Sequence, residues 1–276
     1  MSDRRPPPSL NAVISHRIEV APGLIILRVV PDEWEIPTFR PGQFAVLGLP
    51  VDAARCADAD AEKNLPAKPG KLIRRAYSIA SSSVEREYLE FYVTLVSSGA
   101  LTPRLFALHA GDRVWLGPRI TGTFTLDEAP PEADLVLVAT GTGLAPYMSM
   151  LRTALPACNG RRWAVLLGAR HSWDLGYHAE LMTMQSLCPR FCYLPTISRP
   201  GEEVVPWNGH VGYVIDLWRN RILEKMWEKR PNVATTRIFL CGNPAMIDDM
   251  CRELGHEGFS EHSRTNPGEI FVERYW

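Results

Sequence analysis

Apolar and polar residues alternate over short segments in the first half of the chain. These segments are rich in β-branched and aromatic residues, and turn residues separate them at short spacing. The pattern is typical of antiparallel strands with one buried face, and it predicts an antiparallel β-barrel or sandwich. The predicted strands cover 13–20, 24–31, 43–49, 75–80, 89–96, 112–117 and 123–126.

A short helix and a long loop interrupt these strands. The helix is predicted over 103–109, and Gly111 follows it as a C-terminal stop. The segment 52–70 is rich in Ala, Asp, Lys and Pro, so we expect an exposed loop there.

The second half of the chain alternates between apolar strand-like runs and helical stretches. This alternation predicts an α/β domain with a mostly parallel sheet and helices on both faces. Strands are predicted over 134–140, 162–169, 191–197, 237–242 and 268–276, and helices over 146–155, 174–187, 217–229 and 244–254.

A proline-rich segment over 128–132 is the predicted linker between the two halves. We therefore expect a tail over 1–12, an antiparallel domain over 13–128 and an α/β domain over 132–276.

Composition and charge exclude several classes of protein. Apolar residues make up 46% of the chain and charged residues 22%, and the net charge is −1, so a packed core is expected and a globally basic nucleic-acid-binding protein is disfavoured. The longest apolar runs are too short to span a bilayer. Residues 1–10 contain no hydrophobic signal segment, so we expect a cytoplasmic protein. We also expect a monomer.

The chain has six cysteines, and none of them forms a CxxC pair. Reduced thiols explain this pattern more simply than disulfides or a zinc site, and we expect no metal. The cysteines are Cys56, Cys158, Cys188, Cys192, Cys241 and Cys251.

Three helices are predicted to start with a proline shortly after a glycine, at 99–103, 141–146 and 242–244. A helix N-terminus offers free N–H groups that attract phosphate, and Thr102 and Asn243 are candidate caps. Taken alone, the first of the three is typical of an ordinary capped helix. The other two follow parallel strands, so we expect them to face one ligand at the carboxyl edge of the sheet.

The turn at 141–146 departs from the usual dinucleotide fingerprint. Pro146 stands where a third glycine is expected, and 161–170 contains no Asp or Glu to hold a ribose hydroxyl. The plain NAD pattern is therefore not met.

Three motifs carry a family resemblance in their order along the chain. They are Arg75-Ala76-Tyr77-Ser78, then Gly141-Thr142-Gly143-Leu144-Ala145-Pro146, then Cys241-Gly242-Asn243-Pro244. Together they resemble the ferredoxin–NADP reductase superfamily over nearly all of 13–276. The segments 170–181 and 268–276 make the chain similar to the bacterial ferredoxin/flavodoxin–NADP reductases in particular.

The resemblance implies a flavin-binding antiparallel barrel that carries FAD. It implies that Arg75 pairs with the pyrophosphate, that Tyr77 lies against the flavin ring and that Ser78 places its hydroxyl beside flavin N5. For the cover of the adenine, Phe271 is favoured over Trp276. The other FAD residues that it implies are Ala76, Tyr92, Val93, Gly99, Ala100, Leu101, Thr102 and Thr142.

The resemblance also implies that the second half binds NADP(H). Cys241 is expected near the nicotinamide without acting as a nucleophile, and it completes the catalytic set with Tyr77 and Ser78. Where bacterial relatives often carry a further arginine, this chain has Gly209 and His210, so the preference for NADP is expected to be weaker or more pH-dependent. The diphosphate residues implied are Gly141, Thr142, Gly143, Pro146, Gly242 and Pro244, and the 2′-phosphate residues are Arg170, Ser198 and Arg199.

The implied activity is hydride transfer between NADP(H) and FAD, with single electrons passing to ferredoxin or flavodoxin. Because these carriers are acidic, the basic residues Lys68, Lys71, Arg74 and Arg75 are candidates for contacting them. Two alternatives stay open: the reductase component of an oxygenase system, and a flavin- or nucleotide-sensing module without turnover. A fused iron–sulfur domain is disfavoured because its C-x4-C-x2-C spacing does not occur.

Overall fold

The computed structural model describes residues 10–62, 71–157 and 160–274 of the chain, with the backbone alone at 157. It divides into two compact units, the first running to Thr123 and the second beginning at Phe124. The division lies a few residues before the linker predicted at 128–132. No helix in the described ranges has the length and apolar character needed to cross a membrane.

The first unit contains a six-stranded antiparallel sheet. Its edge strands β4 and β5 meet at the bridge between Ile79 and Phe91 and at a 2.8 Å hydrogen bond from the Ala80 N–H to the Glu90 carbonyl, so the sheet curls into a barrel whose seam between these strands is bridged at this point. The strand order is β4-β3-β6-β1-β2-β5. The elements are β1 Ala12–Ala21, β2 Leu24–Pro31, β3 Phe44–Pro50, β4 Leu72–Ser78, β5 Leu89–Thr94, α1 Thr102–Phe106 and β6 Arg113–Leu116.

The alternation read from the sequence explains the core of this barrel. Ile25, Leu27 and Val29 alternate along β2, are buried, and belong to one apolar cluster with residues of every other strand. The predicted antiparallel barrel is therefore confirmed, although no strand forms at 123–126. Phe124 instead packs its ring on Tyr147 and Phe239 in the second unit's core, and a 3-10 turn follows over Leu126–Glu128.

The second unit is a six-stranded parallel sheet with the order β10-β9-β8-β7-β11-β12. Val136 and Val138 of β7 face a cluster that includes α4, α5 and α6, whereas Phe239 belongs to the other face and packs on Phe124, whose ring also contacts Tyr147 of α2. The strands are β7 Asp134–Thr140, β8 Trp163–Ala169, β9 Phe191–Ile197, β10 His210–Val211, β11 Thr236–Cys241 and β12 Ile270–Glu273. The helices are α2 Ala145–Ala154, α3 His178–Leu187, α4 Val214–Arg219, α5 Ile222–Trp227 and α6 Pro244–His256.

Two helix predictions in this unit need correction. The helix expected over 217–229 is two helices, because Arg221 adopts a left-handed φ of 55° between α4 and α5. The helix expected over 174–187 begins only at His178, after a 3-10 turn over Ser172–Asp174 and a left-handed Tyr177 with a φ of 58°.

The cysteines correct one further expectation. Cys188 is disulfide-bonded, so the prediction of reduced thiols throughout is wrong. Disulfide formation requires two cysteines to approach in three dimensions, and sequence spacing gave no indication of it. Cys56, Cys192, Cys241 and Cys251 carry thiols, and Cys158 lies outside the described residues. The described residues contain no cluster of His, Cys, Asp and Glu suited to a metal ion.

Candidate functional site

The open edge of the barrel carries the residues of the first motif. Arg75 pairs with the fully buried Leu47 across β3 and β4, which places both side chains on the inward face of the sheet. Its neighbours on that face, Ile73 and Tyr77, are buried and half-buried, but Arg75 is exposed. A cation on the inward face that still reaches solvent marks an opening in the barrel wall.

The opening lies between β4 and β5. Among the described residues these two strands pair at one bridge, Ile79 with Phe91, and continuing that antiparallel register brings Tyr77 opposite Val93. Ser78 is buried, as are Tyr92 and Val93. The residues expected to hold a flavin on β4 and β5 therefore lie along the same edge.

Tyr77 presents its ring at this edge in a fixed orientation. The ring meets Phe91 edge-on, with centroids 6.5 Å apart and planes at 72°. Burial raises the pKa of the Tyr77 phenol well above its ordinary value, more than the nearby Arg75 charge lowers it. The side chain is consequently a neutral aromatic surface at physiological pH, which suits stacking against an apolar ring.

The turn between β5 and α1 forms the second part of this site. The Thr102 hydroxyl accepts a hydrogen bond from the Val96 N–H at 3.0 Å and donates to the Val96 carbonyl at 3.1 Å. A Cβ at Gly99 would lie 2.9 Å from that carbonyl oxygen, so closure of the turn itself requires glycine. Thr102 is the first residue of α1, and Leu101 occupies the N-cap position, so the expected cap by Thr102 is wrong.

A buried ionic network beneath this turn was missed by the sequence analysis. The Arg104 side chain is 2% exposed and donates to the Ala100 carbonyl at 2.6 Å, to the Val51 carbonyl and to the Glu62 carboxylate at 2.9 Å. Arg55 donates to the Gly99 carbonyl at 3.0 Å. The two guanidinium groups hold carbonyls of the turn, and the backbone N–H groups of Ala100 and Leu101 make no hydrogen bond to the described residues.

Glu62 is the anionic member of that network. Its hydrogen bond from Arg104, together with the Arg104 and Arg55 charges, holds the pKa of the carboxyl below its ordinary value. The segment expected to be an exposed loop is therefore anchored to the turn over the part that the structure describes, which ends at Glu62.

In the second unit the two glycine turns after β7 and β11 are packed against each other. A Cβ at Gly143 would overlap the carbonyl of Cys241, and a Cβ at Gly242, whose φ is +135°, would lie 2.8 Å from the backbone nitrogen of Thr140. The Thr140 hydroxyl also accepts a hydrogen bond from the Asn243 N–H at 2.8 Å. The structure thus brings together the two turns that the sequence placed at one edge of the sheet.

Both helices start as their sequences predict. Asn243 is the N-cap of α6, and its side-chain oxygen accepts from the Ala245 N–H at 2.8 Å, with Pro244 in the first turn. Pro146 lies in the first turn of α2, which follows a 3-10 turn over Gly141–Leu144 that contains Thr142.

Cys241 is fully buried at the carboxyl end of β11, between Ala139 of β7 and Glu273 of β12 in the strand register. The nearby Tyr147 is also fully buried and donates to the Val138 carbonyl at 3.1 Å, and burial raises the pKa of its phenol. The Cys241 and Tyr147 side chains are therefore closed to water.

Arg170, Ser198 and Arg199 come together just beyond β8 and β9. The Ser198 N–H donates to the Ala169 carbonyl at 3.0 Å and the Arg199 N–H to the Arg170 carbonyl at 2.9 Å, which extends the pairing of the two strands. Both guanidinium groups are exposed. His210 lies on β10, which pairs with β9.

The aromatic tail corrects the expectation for Phe271. This residue lies on β12 with 8% of its surface exposed, and its ring stacks on Phe239 of β11 and on His262 from the other flanking segment, each at 4.6 Å. Because protein occupies both faces of the ring, Phe271 is a core residue and is not available to cover an adenine. Trp276 and Lys68 lie outside the described residues, and Arg74 packs its guanidinium over the Trp115 ring at 4.1 Å.

Comparison with known proteins assigns the chain to a family. The family model described as "Oxidoreductase NAD-binding domain" matches residues 137–252. A flavodoxin/ferredoxin–NADP reductase of Escherichia coli strain K12 is 32% identical over 239 residues, covering 86% of this chain and 88% of that protein. This chain belongs to the ferredoxin/flavodoxin–NADP reductase family.

Another relative and a solved structure agree with the family assignment. The ferredoxin–NADP reductase of Azotobacter vinelandii is 29% identical over 246 residues, with 86% of each chain covered. A ferredoxin NADP+ reductase from Neisseria gonorrhoeae, solved with bound FAD and NADP, superposes with a TM-score of 0.80 at 23% identity over 96% of this chain and 98% of that one. The reductase fold therefore extends over both units of this chain.

Proposed function

We propose that this protein is a ferredoxin/flavodoxin–NADP oxidoreductase, an enzyme that binds FAD on its first unit and NADP(H) on its second. The observation that carries the proposal is Arg75, a cation on the inward face of the barrel that remains exposed at the open edge beside Tyr77. A family member with this edge has the donor set that a flavin dinucleotide requires: a guanidinium for the pyrophosphate and an aromatic face for the ring.

The first unit binds and orients the flavin. When bound, FAD accepts a hydride from NADPH and passes the electrons singly to a protein carrier. Arg75 and the N–H groups of Ala100 and Leu101 would hold the pyrophosphate, the Tyr77 ring would exclude water from one side of the flavin, and Ser78 would supply a hydroxyl to it. Ala76, Tyr92, Val93, Gly99 and Thr102 complete the contacts predicted for this unit. Thr142 and Trp276, which belong to the second half of the chain, stay predictions from the sequence, with Trp276 as the adenine cover.

The second unit binds the nicotinamide nucleotide. The turns that contain Gly143 and Gly242 bind the diphosphate. Cys241 packs near the nicotinamide and neither acts as a nucleophile nor exchanges a proton. Arg170, Ser198 and Arg199 hold the 2′-phosphate, because fixed positive charge distinguishes NADP from NAD.

The partner is a ferredoxin or a flavodoxin. Lys71 is exposed and is not assigned to the pyrophosphate, so it can attract such an acidic carrier. We place the protein in the cytoplasm as a monomer that does not bind nucleic acid, with the flavin domain in the first unit and the nucleotide domain in the second.

Anaerobic titration of the purified protein with NADPH tests the cofactor assignment. The protein should be yellow, should release FAD on denaturation, and should bleach with one equivalent of NADPH for each flavin. A protein that stays colourless after incubation with FAD, yet binds the nucleotide, would contradict the proposal and indicate a sensing module.

A further inference from the structure

Hydrogen bonds join two short segments, one after β8 and one after β9, beside the predicted 2′-phosphate site. The Glu203 carboxylate accepts hydrogen bonds from the Ser172 N–H at 2.7 Å and from the Ser172 hydroxyl at 2.6 Å. Glu203 directly follows the 3-10 turn Pro200–Glu202, and Ser172 begins the turn Ser172–Asp174. These two hydrogen bonds hold the turn that carries Glu202 beside the end of β8.

His171 orients Glu202 within this arrangement. The His171 side chain is 13% exposed and its ring stacks on Trp173, with centroids 4.4 Å apart and planes at 10°. Its Nδ1 lies 3.1 Å from an Asp174 carboxylate oxygen, and its Nε2 lies 2.7 Å from a Glu202 carboxylate oxygen. Because the stacking on Trp173 and the Asp174 carboxylate hold the ring, its Nε2 gives the Glu202 carboxylate a defined position.

That position places a carboxylate beside each predicted phosphate-binding arginine. Glu202 lies 3.6 Å from the Arg199 guanidinium, and Asp174 lies 4.0 Å from that of Arg170. The sequence region 161–170, where an acid for the ribose hydroxyl is normally found, has none. The fold supplies acids from two later segments instead.

The two kinds of charge suit two different nucleotides. A 2′-phosphate needs uncompensated cations, whereas a carboxylate accepts a hydrogen bond from the free 2′-hydroxyl of NAD(H). A carboxylate that is already paired with Arg199 competes with an incoming phosphate for that cation.

We propose that Glu202 gives this site dual specificity, so that the protein uses NADH as well as NADPH. Glu202 weakens 2′-phosphate binding by occupying Arg199, and it accepts a hydrogen bond from a free 2′-hydroxyl. The inference rests on the proposed function, because it concerns the nucleotide site assigned there.

Calorimetric titration of the full-length protein with 2′,5′-ADP and with 5′-AMP tests Glu202 without any hydride transfer. The two ligands differ only in the 2′-phosphate. We expect the wild-type protein to bind both, and Glu202→Gln to tighten 2′,5′-ADP binding about fivefold, the effect of releasing weak exposed ion pairs. Binding of 5′-AMP should not tighten.

The matched control is Glu203→Gln, which removes the same charge one residue away. Glu203 bonds Ser172 and has no hydrogen bond or ion pair with either arginine or with His171 among the described residues. A glutamine at 203 keeps an amide oxygen that accepts from Ser172 and so keeps Glu202 in place, and the ratio of the two dissociation constants should stay within about twofold of wild type. Melting temperatures of both variants verify that they are folded.

Three results would overturn the inference: an unchanged ratio in Glu202→Gln, an equal shift in Glu203→Gln, or a wild-type protein that binds 2′,5′-ADP but not 5′-AMP. In each case the nucleotide site of the proposed function still stands. A wild-type protein that binds neither compound would refute that site, and the inference with it.

Discussion

At the scale of single residues, the surroundings of a side chain decide whether it can bind a ligand or only stabilises the fold. Arg75 and Arg104 are both arginines of the barrel unit, yet Arg75 is exposed at the open edge and Arg104 is buried among carbonyls and Glu62. The first is available to a ligand, and the second holds the turn that would face that ligand.

Tyr77 is predicted to retain flavin through its ring and not through its hydroxyl. Tyr77→Ala should weaken FAD binding about tenfold, the upper range for loss of an aromatic stacking contact. Tyr77→Phe keeps the ring and should stay within about twofold of wild type, because the buried phenol remains neutral. Equilibrium dialysis of FAD measures both variants, and equal losses in the two would contradict stacking.

Glu62 is predicted to stabilise the barrel by compensating the buried Arg104. Glu62→Gln should lower the free energy of unfolding by about 2–4 kcal/mol, because removing one partner leaves a buried charge uncompensated. Asp249→Asn, which breaks the exposed pair with Arg252, should cost less than about 1 kcal/mol. Urea denaturation measures both variants, and equal costs would contradict the prediction.

The stability contributed by Glu62 should decrease as the pH is lowered. Its carboxyl pKa is lowered by folding, so the contribution is fully present above the unfolded value of about 4.3 and is lost as the pH falls through the lower folded value. The difference between wild type and Glu62→Gln should therefore shrink below about pH 4. A difference that grows on acidification would contradict this assignment.

At the scale of elements, the apolar pattern predicted most strands because it reports burial directly. It failed at 123–126, where Phe124 is buried by a ring cluster rather than by strand pairing. The apolar pattern also predicted α4 and α5 as one helix, because the left-handed backbone of Arg221 does not change the spacing of the apolar residues.

The candidate site was predictable where it is contiguous in sequence. The turn at Gly143 and the cap at Asn243 form as their motifs indicate. Glu62, His171 and Glu202 act through partners that are distant in sequence or brought close by a turn, so no motif indicates them. Phe271 was misassigned because a buried strand aromatic and a stacking tail aromatic look alike in sequence.

The contact between the two glycine turns should tolerate no side chain at Gly242. Gly242→Ala places a Cβ against Thr140 at a φ of +135°, and we expect a loss of about 2–4 kcal/mol in the free energy of unfolding together with weaker NADPH binding. Gly255→Ala is the matched control, because it lies in α6 with open space around its Cβ and should stabilise by about 0.5–1 kcal/mol. Thermal melts and NADPH titration measure both, and a neutral Gly242→Ala would contradict the packing argument.

At the scale of the whole molecule, each unit has its own candidate site and its own hydrophobic core. The barrel leaves one edge open beside a cation, and the parallel sheet brings two glycine turns and two arginines to its carboxyl edge. A net charge of −1 favours neither attraction nor repulsion of an acidic carrier, so local cations must direct the encounter.

The measurement that tests the central claim most directly is anaerobic electron transfer from NADPH to ferredoxin or flavodoxin with the FAD-loaded protein as the only catalyst. The account predicts that each NADPH consumed reduces two equivalents of a one-electron carrier, followed by absorbance of both species. Consumption of NADPH without reduction of either carrier, or no consumption at all, would contradict it.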